Sequence, residues 1–396
     1  MCRTLAVAGR IGEGTAKSFV ARNLFRDFGL LRARWNEFRV TEGYPAELCS
    51  SPARIGTKPA RGFTLVELLI VVSIIGVLIA LLMPAVKSAQ ESGRRAHCLN
   101  NVEQLALANL AHESAYRLLP GGGWGWGWVG DADRGSGMRQ PGGWVYNILP
   151  YIDQNDLHDM GKGLPDAQKQ VQNGIRTGTP TAITLCPTRR RVQAFTWWTH
   201  GTGNFQWPPS GAVGRSDYAS NGGDNPVLPG AMGLWSSGNC MNADCGPASI
   251  PTDAVLGQVK AVADTFGMTG IDYPLSTISL ASITDGLSFT YLLGEKALAP
   301  NMYLTGQSNG DNENQYIGFN SDVGRFTDTN DPPIQDTLGN DNFNSFGSAH
   351  SSGFNMAFCD GSARPMSYAI NLTVHQQLGN RKDGLPTDLS QIDAGK

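Results

Sequence analysis

From Phe63 to Met83 the chain runs for 21 residues in which only Thr64, Glu67, Ser73 and Gly76 are not plainly apolar. As a helix rising ~1.5 Å per residue, this stretch is roughly 31 Å long, enough to cross the hydrocarbon core of a bilayer. A single carboxylate, Glu67, sits near its start. An unpaired charge in lipid costs at least ~2.5 kcal/mol, so Glu67 is expected to have a partner. Whatever else the chain folds into must hang from this segment.

The formal charge of -3 divides unevenly about it. Residues 1–62 carry 11 Lys+Arg against 5 Asp+Glu, a net +6; of the totals of 31 and 34, the remainder holds 20 against 29, a net -9. Positive charge beside a spanning helix stays on the cytoplasmic side. The expected arrangement is therefore a single span with the N-terminus cytoplasmic and the large C-terminal part outside. An acidic exported body argues against nucleic acid, whose phosphates need a basic face. After residue 95 the one basic run is Arg189-Arg190-Arg191, which reads as a solvated turn.

Residues 1–62 lack apolar periodicity, and Pro45, Pro52 and Pro59 interrupt any long helix; they read as a basic leader that is removed. The membrane helix occupies 63–83. Pro84 is expected to kink it, because proline in a spanning helix is tolerated. Residues 84–117 continue as an amphipathic half: Leu99, Val102, Leu105, Ala106, Asn109 and Leu110 share one face, which must pack on the rest of the chain. Leu118-Leu119-Pro120-Gly121 ends the helix. Residues 118–396 then form the exported body, with frequent Gly and Asn and short apolar runs. Gly142 to Ile152 suggests a short helix or strand. Ala182–Pro187, Ile278–Leu280 and Thr290–Leu293 suggest strands, the last two flanking a turn at Asp285-Gly286. Phe354–Met366 reads as a hairpin with its turn at Asp360-Gly361, one face buried and the other solvated. The fold class is α+β: one long N-terminal helix packed on an antiparallel sheet with long loops.

Seven cysteines leave an odd number to pair. Cys240 and Cys245 are candidates for a small disulfide loop in an oxidising compartment, with free thiols and zinc as the competing readings; no second Cys/His pair stands near them at ligand spacing. Residues 301–345 read as a long acidic surface loop. Asp311, Asp322 and Asp328 are its candidate Ca²⁺ ligands, although no window has EF-hand spacing. No other cofactor is expected. Trp124, Trp126 and Trp128 alternate with Gly and Trp197, Trp198 and Trp207 lie near Gly and Pro, either capping a core or forming a stacking surface for sugars or protein. Ser348, His350 and Asp360 could be imagined as a triad, and Gly306-Gln307-Ser308-Asn309-Gly310 formally matches a nucleophile elbow. The polar loop around the latter is the wrong context, Asp360-Gly361 is explained by turn geometry, and His350 reads as a structural residue. No enzyme is expected.

Arg61-Gly62-Phe63-Thr64-Leu65-Val66-Glu67 resembles the N-terminal cleavage and methylation segment of type IV pilins and type II secretion pseudopilins. The resemblance implies cleavage between Gly62 and Phe63 by the prepilin peptidase/methyltransferase and N-methylation of Phe63. It also implies that Glu67 pairs with the N-terminal ammonium of a neighbouring pseudopilin subunit during assembly. Further motifs resemble a large bacterial pseudopilin-like family whose exported part is a domain of unknown function. They are Arg94-Arg95-Ala96-His97-Cys98-Leu99-Asn100-Asn101, Leu185-Cys186-Pro187, Ser216-Asp217-Tyr218, Ile283-Thr284-Asp285-Gly286, Gly294-Glu295, and His350 through Asp360-Gly361-Ser362. The implied function is a non-enzymatic subunit that assembles through its helix into a type II secretion or type IV pilus-like fibre. The alternative is a membrane-anchored binding protein for glycan, solute or a surface partner. Expected partners are the processing peptidase, other pseudopilin subunits and inner-membrane lipid.

Overall fold

The computed structural model describes residues 62–196, 203–226, 252–385 and 387. The candidate disulfide Cys240–Cys245, Trp197, Trp198 and residues 1–61 of the leader lie outside the described residues. Contacts divide the chain into two compact units, residues 1–68 and 69–396.

The described part of the first unit is the cap of a helix. Helix α1 runs Leu65–Tyr116, 52 residues, with Pro84 inside it. Thr64 is its cap: the Glu67 backbone N–H donates to Thr64 Oγ1 at 3.2 Å, and the Thr64 backbone N–H donates to Glu67 Oε2 at 2.9 Å. This reciprocal pair is a capping box, and it satisfies two backbone donors that the first turn would leave open. At the other end Arg117 takes a left-handed φ of 60°, and its N–H closes on Glu113 O.

From Phe63 to Val86 every large apolar side chain is exposed, Leu65 at 86%. Leaving each such side chain in water forgoes roughly 1.5–3 kcal/mol. Among the described residues α1 is the one helix long and apolar enough to cross a membrane. Further along, Cys98, Asn101, Val102, Leu105, Ala106, Ala108, Asn109 and His112 are buried while Leu107 is exposed. Of the six residues expected on the packed face, Val102, Leu105, Ala106 and Asn109 are buried and Leu99 and Leu110 half-buried.

The second unit is built on a five-stranded sheet. Its strands are β3 (Tyr218–Asn221), β4 (Tyr291–Glu295), β5 (Gly324–Arg325), β8 (Phe354–Phe358) and β9 (Ala363–Met366), in the order β5-β3-β4-β8-β9. All neighbours are antiparallel except the edge pair β3–β5, which is parallel. Two minor pairs accompany it: β1 (Phe195–Thr196) with β2 (Ala212–Val213), before the sheet in sequence, and β6 (Ile334–Gln335) with β7 (Gly347–Ser348), between β5 and β8. The hairpin β8–β9 turns at Asp360-Gly361 as its sequence predicts; Gly361 has φ 89° and a Cβ there would lie 2.9 Å from Leu110 Cδ1 of α1.

The expectation that one sheet face is solvated is corrected. Val102, Leu105 and Ala106 of α1 share a core with Leu292, Leu293 and Ala357 of the sheet and with Trp124, Trp128 and Trp144. Phe354, Met356 and Phe358 share a second core with Val374 and Leu378 of helix α2 (Leu372–Gly379). With apolar cover on both sides, β4 and β8 are buried at every residue, which is why strict alternation in polarity is absent. Two expected strands are also corrected. Ala182–Thr184 and Leu280–Ser282 are single 3₁₀ turns, the latter held by a Ser279/Ser282 capping box. Trp144–Asn147 is one helical turn. Trp124 and Trp128 are buried in edge contact at 5.1 Å, so they belong to the core, whereas Trp207 is half exposed.

Residues 308–327 are not a surface loop, whereas nearly all of 328–344 lies exposed or half-buried as expected. Ser308, Asp311, Asn314, Tyr316, Phe319, Arg325 and Ser345 are all completely buried. What permits this is internal charge compensation. Asp311 receives Arg190 at 2.6 Å, Lys296 at 3.0 Å and Arg215 at 3.5 Å. Burial alone would raise the Asp311 carboxyl, but Arg190, Lys296 and Arg215 together hold it well below the usual carboxylate range. Arg189 likewise pairs with Asp336 at 2.8 Å and Asp217 at 3.5 Å. The supposed solvated turn Arg189-Arg190 is therefore the cationic half of a buried ion network.

Candidate functional site

Two places in the chain carry chemistry. The first is the N-terminal segment. Gly62 and Phe63 precede the helix outside any regular element and are exposed, Phe63 at 73%. Cleavage at Gly62–Phe63 needs such access, and Gly62 has no atom within 4 Å of where a Cβ would stand. Glu67 is engaged locally: its Oε2 also accepts from Thr64 Oγ1 at 2.9 Å. The capping role of Glu67 was not read from the sequence, although Thr64-x-x-Glu67 is the capping-box pattern and could have supplied it.

The second place is buried and joins four distant segments. Cys98 comes from α1, Cys186 from the turn after Leu185, Glu295 from the end of β4 and His350 from the turn after β7. Each offers a donor atom, and all four atoms lie within 4.8 Å of one another. Cys98 Sγ is 2.9 Å from Cys186 Sγ, and both cysteines are free. His350 Nε2 is 3.9 Å from Cys186 Sγ and 3.6 Å from Glu295 Oε1, while His350 Nδ1 is 2.6 Å from Glu91 Oε1.

The surrounding shell fixes these groups. The Cys186 backbone N–H donates to Asp217 Oδ2 at 2.7 Å. Asn355 donates to Glu295 Oε2 twice, from its backbone N at 2.8 Å and from Nδ2 at 3.0 Å. Asn101 Nδ2 reaches Leu185 O and Tyr218 Oη beside the cysteines. The Cys98 thiol, donating to its neighbour and buried, is pushed far up; the same hydrogen bond lowers Cys186 to about 5. Burial, with the Cys186 charge beside it, raises the Glu295 carboxyl to about 7. Burial opposes a charge on His350, but Cys186, Glu295 and Glu91 overcome it and raise its pKa.

The sequence reasoning did not assemble this group, because no two members stand at a local ligand spacing. A signal was nevertheless present: each of the four falls inside one of the scattered motifs noted above. The imagined triad does not form. His350 faces Glu91 and Cys186, and Asp360 accepts from Ser362 in its own turn. Ser308 of the formal nucleophile elbow donates to Asp341 at 2.5 Å. The Ca²⁺ candidates do not converge. Asp311 is neutralised by three cations, Asp322 accepts from Glu313 N and Asn320 Nδ2, and Asp328 accepts from Asn330. Among the described residues the Cys98 group is the one set of three or more such donors that could hold a metal.

Two family models match the chain. Residues 57–83 match the prokaryotic N-terminal methylation motif. Residues 87–373, most of the chain, match a model described as a protein of unknown function (DUF1559). No curated protein and no solved structure matches. The methylation motif implies processing by prepilin peptidase and assembly with other pilin-like subunits. With a pilin-type segment leading into the long apolar helix, and a matched domain that begins within that helix at residue 87, this chain belongs to the DUF1559 family and is a type IV pilin- or pseudopilin-like protein.

Proposed function

We propose that the protein is a non-enzymatic pseudopilin-like subunit. It is clipped between Gly62 and Phe63, N-methylated on Phe63 and held in the inner membrane by residues 63–83. Its body lies on the periplasmic or extracellular side, and it assembles through helix packing into a type II secretion or type IV pilus-like fibre. The observation that carries this reading is helix α1. Its first half exposes every large apolar side chain directly behind a methylation motif, while its second half is anchored in the body. Such a face is stable in lipid or against like helices, and both environments are available to a pilin-like subunit. Cleavage would create a new ammonium on Phe63, four residues before Glu67. A carboxylate at that depth is best satisfied by such a charge, from its own chain or the next.

Mass spectrometry of the mature N-terminus tests the processing step; a methylated Phe63 is the expected result, and an intact leader overturns it. Co-assembly of tagged subunits then separates the two roles of Glu67. Thr64→Ala removes the cap alone and is expected to retain insertion and co-assembly, whereas Glu67→Ala is expected to insert but not to co-assemble. An anchored binding protein that uses the helix only as a tether predicts no loss of function in Glu67→Ala.

A further inference from the structure

The buried group of Cys98, Cys186, Glu295 and His350 has features that ordinary core cysteines lack. Glu295 Oε1 is buried without any hydrogen-bond partner, although its twin Oε2 receives two. An orphaned carboxylate oxygen in the interior costs several kcal/mol unless something cationic meets it. The orphan atom faces the cysteines and His350. His350 is oriented from behind: with its Nδ1–H donated to Glu91, the Nε2 lone pair points at Cys186 and Glu295. A carboxylate holding the far nitrogen of a histidine is the arrangement that sets tautomer and ring direction in metal centres.

We propose that Cys98, Cys186, Glu295 and His350 form a closed, structural site for one divalent metal ion of zinc-like softness. Two thiolates, one imidazole and one carboxylate are a tetrahedral zinc donor set, and the sulfurs disfavour Ca²⁺ and Mg²⁺. With metal–sulfur bonds of ~2.3 Å the two sulfurs stand about 3.8 Å apart, so loading opens the present 2.9 Å separation by under about 1 Å. Binding releases the Cys98 thiol proton and the proton that the Cys186–His350 pair holds. The loaded site keeps one net negative charge, and the Arg189 guanidinium lies within electrostatic reach of both Cys186 and Glu295. Four protein ligands leave no open position, so the ion serves the fold. It ties α1 at Cys98 to β4 at Glu295 and to the segments holding Cys186 and His350, fastening the anchor helix to the sheet. A Cys98–Cys186 disulfide is the rival state, and it would leave Glu295 Oε1 and His350 Nε2 with only each other.

The test uses the full chain, extracted in detergent and purified without oxygen from zinc-supplemented cells. Elemental analysis is expected to find one zinc per chain. Exchange for Co²⁺ is expected to give tetrahedral ligand-field bands with thiolate charge transfer. Cys98→Ser and His350→Ala are expected to lose the metal, and Glu91→Gln to weaken affinity 10–100-fold with all four ligands in place. Should the ligand variants fail to fold, the cobalt spectrum of the unaltered chain still decides. A wild-type chain that takes up neither zinc nor cobalt overturns the proposal. So does a Cys98–Cys186 disulfide in the anaerobic preparation, or unchanged metal content in folded Cys98→Ser. None of these outcomes depends on whether the N-terminus is processed.

Discussion

At the scale of single residues, the body is organised by buried charge more than its composition suggests. Asp311 is fully buried and answers Arg190, Lys296 and Arg215 at once. Removing one member of such a set leaves the others uncompensated in a medium of low dielectric, which costs about 3–5 kcal/mol. Asp311→Asn is therefore expected to lower the unfolding free energy of the detergent-solubilised chain by that amount in urea denaturation. Asp328→Asn, on a partly exposed turn, is expected to stay within about 0.5 kcal/mol. Equal effects at the two positions would sink the network reading. The difference was not legible beforehand for a physical reason. Asp311, Asp322 and Asp328 sit in one polar, Asn-rich run, and nothing local says that Arg190 and Lys296 come from elsewhere to meet the first of them. The same holds for Cys98 and Cys186, which are 88 residues apart. Long-range compensation has no period to read.

Elements whose burial follows a period were legible. Helix α1 was expected near residues 63–117 and spans Leu65–Tyr116, because a continuous apolar run and then an amphipathic repeat each leave a clear signal. The β8–β9 hairpin was legible because Asp360-Gly361 demands a positive φ that glycine supplies. The 3₁₀ turns at Ala182–Thr184 and Leu280–Ser282 were misread as strands, since a three- or four-residue apolar run has no period of its own. The outer half of α1 provides the quantitative check at this scale. Leu105 is fully buried against the sheet core, whereas Leu107, two residues on, is 55% exposed. Leu105→Ala is expected to cost about 2–5 kcal/mol in urea denaturation, through lost burial and the cavity left behind. Leu107→Ala is expected to be within about 0.5 kcal/mol in the detergent-solubilised monomer. A large loss at Leu107 in that monomer would mean that the helix packs on the body by another face.

At the scale of the whole molecule, a chain with an exposed apolar anchor carries a body whose polar groups are heavily internalised, and its stability must respond to pH through those groups. Burial pushes His375 down to about 3 and His112 down to about 4, from an ordinary 6.5. The unfolded chain protonates each histidine below about 6.5 while the folded chain refuses the proton. Each histidine therefore removes stability as pH falls from about 6.5 toward its folded value, by up to about 1.4 kcal/mol per pH unit. Asp272 acts in the opposite sense. Burial raises its carboxyl to about 7 from 3.8, against the pull of the Ser220 and Ser276 hydroxyls that donate to it. The folded chain holds that proton where the unfolded chain has lost it, so Asp272 costs stability progressively as pH rises from about 4 to 7, and fully above that. Because these slopes oppose one another, the wild-type profile conceals them and single variants reveal them. Relative to wild type, His375→Phe is expected to become steadily more stable as pH falls from 6.5 to 4, since it cannot demand a proton on unfolding. Asp272→Asn is expected to gain on wild type as pH rises from 4 to 7, and to hold that gain above 7. Urea midpoints of the three full-length chains, measured in one detergent across pH 4–8, check both signs. Curves that run parallel to wild type would mean that neither group is held away from its ordinary titration by the interior.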